Sequence, residues 1–190
     1  MALPRQFEVT QVDSGVGVLY LGRPGQSSHY TLLRRREKEY AVESYRAYES
    51  GYHRIPLRGL DFKPYRNQKT LFVDVTQVGL HFLEYIRQVG ILSIIPIVCM
   101  EANGINPWEV KPAREELLFV SLREAVVVLQ LLSGLGHLNL RHFTFGYETA
   151  EEAESAIQHV GTNGELEIHP RLHSLALASL VAEKMEIIGL

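Results

Sequence analysis

The chain has 190 residues, 46% hydrophobic and 22% charged, with a formal net charge of −3, a composition that excludes disordered, collagen-like and low-complexity proteins. Its one cysteine, Cys99 in the apolar run ILSIIPIVCM, rules out an intramolecular disulfide and a thiolate zinc cluster and reads as a buried structural thiol. The thirteen uncharged residues between Arg87 and Glu101 fall short of the roughly 20 that cross a bilayer, and MALPRQFEVT has no apolar signal core, so the expectation is a soluble, cytoplasmic protein with no membrane partner.

In chain order, FEVTQV and GVGVLYL read as two strands around the turn DSG, an N-terminal hairpin. RPGQSS, Arg23 to Ser28, reads as an exposed loop. Placed at about 100° per residue, Tyr40, Ala41, Ser44, Tyr45, Tyr48 and Tyr52 share one side while Lys38, Glu39, Glu43, Arg46 and Glu49 take the other. That spacing predicts an amphipathic helix with a tyrosine-lined core face, ending at Gly51. TLFVDV is a strand over 70–75, followed by the helix TQVGLHFLEYIRQVG, with Val78, Phe82, Ile86 and Val89 on one face and Gly90 at the stop. ILSIIPIVCM is a buried strand.

Glu101 to Glu115, with the only tryptophan and two prolines, reads as a connection between an N-terminal region over 1–100 and a C-terminal region over 116–190, unless the whole forms one compact domain. ELLFV is a strand. Ser121 with Glu124 forms a capping box for the helix LREAVVVLQLLSG, and Thr149 with Glu152 repeats it before AEEAESAIQHV. Between them LNLRHFTFGYE reads as a long strand or a tight strand pair. ELEIH is a short strand, and Pro170 opens a final, largely buried helix through Ile188. The expected fold is α+β: a mixed sheet with an N-terminal hairpin and a C-terminal half alternating strand and helix, ferredoxin-like or layered α/β.

Charge is unevenly distributed. Residues 23–69 carry eleven basic against five acidic side chains, whereas residues 70–190 carry seven against fifteen. Within the basic segment the loop over 53–69 holds Arg54, Arg58, Lys63, Arg66 and Lys69 against Asp61 alone. Pro56, Gly59 and Pro64 interrupt any regular element there, and so long a connection usually has a job. With Tyr65 interleaved, and with Arg34, Arg35 and Arg36 as neighbours, it suits a phosphate backbone or an acidic protein surface.

Catalytic signatures are sparse. GVGVLYLG and GLGH do not join a strand to a helix start as a phosphate cradle requires. His169 and His173, four residues apart at a helix start, could face one metal but have no evident third ligand in the sequence. Asp74 ends an apolar strand just before a helix, a natural first ligand for a divalent ion, with Glu116 and Glu148 as the carboxylates that would have to join it. Over Leu71–Leu83, LFVDVT and its apolar helix resemble the opening of PIN-type nucleases, a resemblance that implies metal-dependent cleavage. LFVSL and RHFTFGY resemble the two sheet motifs of RNA-recognition domains, but His142 and Thr144 stand where that family has glycines, so the likeness speaks only for a ferredoxin-like sheet.

The sequence leans away from catalysis and toward a binding or assembly protein, without a cofactor or metal, whose basic loop contacts an acidic partner. Nucleic acid is the first choice. The competing reading is an interaction subunit or homo-oligomer in which the basic segment docks on an acidic neighbour, and the third is a metal-dependent nuclease centred on Asp74.

Overall fold

A computed structural model of the chain describes residues 15–23, 25–36, 39–49, 70–78, 93–100, 118–140, 143, 145–161 and 168–187. Seven strands form one mixed sheet: β1 (Gly15–Tyr20), β2 (Ser28–Arg36), β3 (Glu39–Tyr48), β4 (Thr70–Asp74), β5 (Ser93–Cys99), β6 (Leu118–Val120) and β7 (Leu138–Asn139). Their order across the sheet is β6-β5-β4-β1-β2-β3-β7. Among the described residues three helices accompany them, α1 (Leu122–Gly134), α2 (Ala150–His159) and α3 (Pro170–Ile187). The α+β class with an N-terminal antiparallel hairpin is as expected, but the hairpin described joins β1 to β2, Gly15 opposite Arg34 through Tyr20 opposite His29, where the expected hairpin joined GVGVLYL to FEVTQV and no strand was expected over Ser28–Arg36.

β1 lies at the middle of the sheet because both of its faces are apolar enough to be covered, as its near-continuous burial shows. It pairs in parallel with β4, which pairs in parallel with β5, and β5 with β6. Four strands therefore end at one edge. Strand parity then assigns the faces. Val16, Val18, Leu33, Phe72, Ile95, Ile97 and Cys99 join the core under the helices, whereas Leu19, Leu32, Leu71, Val73 and Val98 are buried on the opposite face.

The expected tyrosine helix is a strand. β3 pairs with β2 along its whole length, but the register shifts between Leu32 and Leu33, where Ser44 and Val42 are the successive partners and Glu43 is the extra residue. This bulge reverses the parity of the strand beyond it. Tyr40 and Val42, then Tyr45 rather than Ser44, turn toward the helices. A strand with one inserted residue thus reproduces the wide spacing of a helix face, and pairing with β2 and β7 decides the outcome.

LNLRHFTFGYE also departs from expectation. Among its described residues only Leu138–Asn139 pairs as a strand; Phe143 N–H turns back to the Leu140 carbonyl at 2.9 Å. Phe145 and Gly146 then adopt φ of 53° and 80°, a left-handed step that no strand continues through. Ile168 and His169 are likewise not in a strand. Both capping boxes form: Ser121 Oγ accepts from Glu124 N–H at 3.2 Å and Thr149 Oγ1 from Glu152 N–H at 3.1 Å. The expected first strand FEVTQV, most of the helix over 76–90, the connection over 101–115 and the loop over 53–69 lie outside the described residues.

α3 is the centre of the core. Every side chain from Leu172 to Val181 is buried, because one side faces β1 and β2 while another meets α1. Burial on this scale stabilises by roughly 1.5–3 kcal/mol for each leucine. Small polar residues are tolerated where they find partners: Ser174 Oγ meets Thr31 Oγ1 on β2 at 2.7 Å, and Ser179 Oγ donates to the Leu175 carbonyl at 2.9 Å. Among the described residues no helix is long and apolar enough to cross a membrane.

Candidate metal centre

At the carboxyl edge of the parallel strands the chain leaves β4 and β5, the position where open sheets with parallel strands commonly place ligands. Asp74 is the last residue of β4 and Cys99 the last of β5. Asp74 is opposite Ile97 in the pairing, so Cys99, two residues further on, shares its face. α3 lies over this face and brings His173 down from its first turn. His173 Nε2 lies 3.0 Å from Asp74 Oδ2, and Cys99 Sγ lies 3.7 Å from that oxygen and 3.8 Å from that nitrogen. All three residues are buried, at 1%, 1% and 6% exposure, and their donor atoms lie within 4.8 Å of one another.

Thr76 organises the group. Its backbone N–H and its hydroxyl both donate to Asp74 Oδ1, at 2.9 and 2.6 Å. Its hydroxyl oxygen also accepts from the Cys99 N–H at 2.8 Å. Burial alone would raise the Asp74 carboxyl; the hydrogen bond and charge of His173, with the two bonds from Thr76, outweigh it and hold the group below its ordinary value. The thiol moves the other way. Burial, then the Asp74 carboxylate, pushes Cys99 well above the usual range.

This geometry is not a nucleophile relay. In such a relay the two imidazole nitrogens serve different partners, one the nucleophile and one the carboxylate. Here Asp74 and Cys99 converge on the same Nε2, and a buried thiol with a raised pKa is a poor nucleophile. One carboxylate, one imidazole and one sulfur, their ligand atoms all within 4.8 Å of one another, are instead a group of the kind that could hold a divalent metal.

Tyr20, the last residue of β1, roofs the group. Its ring stacks on His173 with centroids 4.4 Å apart, and burial followed by the Asp74 charge pushes its hydroxyl up to about 12. Next to it a second polar chain crosses the sheet. His29 Nε2 lies 2.6 Å from Ser27 Oγ, and Nδ1 lies 2.8 Å from the Tyr45 hydroxyl. Burial, with His169 and Arg171 adding positive charge, lowers His29 to about 4, so the imidazole is neutral near neutrality. Arg171 itself is anchored by Nη1 to the Gly146 carbonyl at 2.9 Å and by the Tyr147 ring at 5.1 Å.

Of the residues singled out in the sequence, the structure brings together Asp74 and His173. His169, one helical turn earlier, is exposed. Glu148 is exposed and away from the group, its N–H bound to the Glu152 carboxylate at 3.0 Å. Arg34 pairs with Glu43 at 3.1 Å, and Arg35 lies over the Tyr40 ring at 5.8 Å; Arg36 ends β2. Arg54, Arg58, Lys63, Tyr65, Arg66, Lys69 and Glu116 lie outside the described residues. Cys99, set aside as a structural thiol, is buried as expected and also joins the group as its third member. The signal that could have found it is that Asp74 and Cys99 each end an apolar strand.

The leading expectation, a non-catalytic binding or assembly protein acting through its basic loop, is corrected by this centre: Asp74, the residue on which the third reading is centred, sits with Cys99 and His173 in a buried group that could hold a metal ion. No family model matches the chain, and no curated protein matches it. Among solved structures it is similar to the human cytomegalovirus terminase nuclease domain soaked with Mn, at 10% identity and a TM-score of 0.49, covering 92% of this chain and 86% of that one. The same domain with Mn and an inhibitor bound gives 12% identity and a TM-score of 0.46 over the same shares. It is the Asp74 centre, not this distant likeness, that bears on function.

Proposed function

We propose that the chain is a divalent-metal-dependent nuclease domain whose ion is held by Asp74, Cys99 and His173. The observation that carries this is the convergence of three donor atoms at the carboxyl edge of the parallel strands. A divalent ion there supplies Lewis acidity toward a phosphate oxygen. The protein supplies the rest. Asp74 is anionic and held in one orientation by Thr76, and three protein donors are the number that hydrolytic metal sites use. Arg171 in the first turn of α3, and His169 just before it, lie two and four residues from His173 in the chain, at a helix N-terminus whose dipole favours an anion. A phosphodiester is the anionic substrate class proposed for that edge.

The extreme burial of the three donors favours a second reading, a closed metal site that supports the fold. One experiment separates the two. The metal-free chain is mixed with single- and double-stranded DNA and RNA in the presence of Mn²⁺ or Zn²⁺, and its thermal unfolding is followed in parallel. A nuclease cleaves with either ion and loses at least 100-fold in rate in Asp74→Asn and His173→Ala. Cleavage unchanged in Asp74→Asn overturns the nuclease reading, and metal-dependent stabilisation without cleavage establishes the closed site in its place.

A further inference from the structure

The three donors at the centre differ in softness and spacing, and both properties discriminate among ions. We propose, on the basis of the metal-centre reading, that the centre takes an ion of the zinc class rather than magnesium or calcium, and that Thr76 is the positioning residue that turns Asp74 Oδ2 toward it.

Donor chemistry separates the ions first. Magnesium and calcium take oxygen ligands and shun sulfur, while sulfur and imidazole together suit zinc and its thiophilic neighbours. Cys99 and His173 are two of the three donors here. Spacing separates them again. Bonds of about 2.0–2.3 Å in a tetrahedral site separate neighbouring ligands by roughly 3.3–3.6 Å, whereas octahedral magnesium at about 2.0–2.1 Å needs ligands roughly 2.9 Å apart. The two separations that involve sulfur, 3.7 and 3.8 Å, are near the tetrahedral edge and far from the octahedral one; the oxygen–nitrogen separation of 3.0 Å, a direct hydrogen-bonded contact, is nearer the octahedral value, so it is the sulfur separations alone that favour a tetrahedral ion.

Charge balance points the same way. A coordinating cysteine is a thiolate, so Cys99 and Asp74 together would balance a divalent ion and leave the buried centre neutral. An ion bound through Asp74 alone leaves one uncompensated positive charge in a site 1–6% exposed, which is strongly unfavourable.

The role of Thr76 rests on its hydrogen bonds. Both of its donors occupy Asp74 Oδ1, so Oδ2 is the oxygen left to face Cys99 and His173. Because its hydroxyl also receives the Cys99 N–H, a single buried side chain fixes the strand ends that carry two of the three ligands. Partners of this kind outside the ligand set typically change metal affinity by about 10–100-fold.

The test uses the metal-free full chain and Co²⁺ as a spectroscopic probe, displaced in turn by Zn²⁺, Mn²⁺ and Mg²⁺. The expected result is a thiolate-to-cobalt charge-transfer band and tetrahedral d–d intensity, with Zn²⁺ displacing Co²⁺ at a concentration at least 100-fold lower than Mn²⁺ or Mg²⁺ does. Cys99→Ser removes the band and narrows the Zn²⁺ over Mn²⁺ preference by at least tenfold. Thr76→Val weakens Zn²⁺ binding by about 10–100-fold, and Thr76→Ser, which keeps the hydroxyl, restores it to within a few-fold. Circular dichroism confirms that each variant is folded; if Thr76→Val is not, the near-native affinity of Thr76→Ser against weakened binding in Thr76→Ala decides. Mn²⁺ or Mg²⁺ binding as tightly as Zn²⁺, or a band that survives Cys99→Ser, overturns the zinc-class inference while leaving a metal centre in place. Absence of binding by every ion overturns the metal-centre reading itself.

Discussion

His29 shows at a single residue how the fold sets chemistry. Its ring is buried between Ser27 and Tyr45, and burial lowers it from 6.5 to about 4. Above about pH 6.5 both the folded and the unfolded chain hold a neutral imidazole, and His29 adds no pH dependence. As pH falls from 6.5 to 4 the unfolded chain takes up a proton that the folded one refuses, so stability falls, by roughly 3 kcal/mol at full extent. Asp74, whose carboxyl is held below its ordinary 3.8, loses its contribution only at lower pH, so the two windows separate. Urea denaturation at pH 7 and pH 4.5 should show a smaller drop in midpoint for His29→Gln than for the unaltered chain; equal drops would remove His29 as the cause.

At the scale of elements, the turn from β1 into β2 depends on Gly22. A Cβ there would sit 2.4 Å from the Ser27 carbonyl oxygen, a backbone atom that cannot swing aside. Gly22→Ala should therefore destabilise by about 1–3 kcal/mol and displace the Ser27 hydroxyl from His29, seen as a shift of the His29 ring resonances. Only part of this arrangement was legible in the sequence. β4, β5 and β6 announced themselves by short apolar runs, and α1 and α2 by Ser121 with Glu124 and Thr149 with Glu152, because those signals are local. β3 did not, because one extra residue at Glu43 gave a strand the spacing of a helix, and only its pairing with β2 reveals this. Asp74 and His173 each stood out alone. Their meeting with Cys99 depends on the register of two parallel strands and on where α3 docks, which are long-range facts that no window of sequence contains.

For the whole molecule, α3 decides whether there is a core at all. It lies between the sheet and α1, and Leu175 at its middle is fully buried. Leu175→Ala should lower stability by about 2–5 kcal/mol, the range for a leucine whose neighbours cannot close the gap, measured as a shift in urea midpoint; a loss under about 1 kcal/mol would show that the helix is not the keystone described. The exposed Val127, Leu131 and Leu135 on and just beyond α1 belong to the opposite case, since nothing in the core leans on them.

That placement of α3 also fixes an order of events in folding. Thr31 and Ser174, which share a hydrogen bond, are 143 residues apart in the chain, and contacts of such separation are slow to form because a long loop must close before they reward it. Strands β1 to β5 can pair as they emerge from the ribosome, but the face that carries Val16, Val18, Phe72 and Ile95 has no α3 to cover it until residues 170–187 have been synthesised. During that interval the apolar surface of β1 and β2 that α3 buries is without that cover, the kind of state in which chaperones find clients and aggregates find seeds.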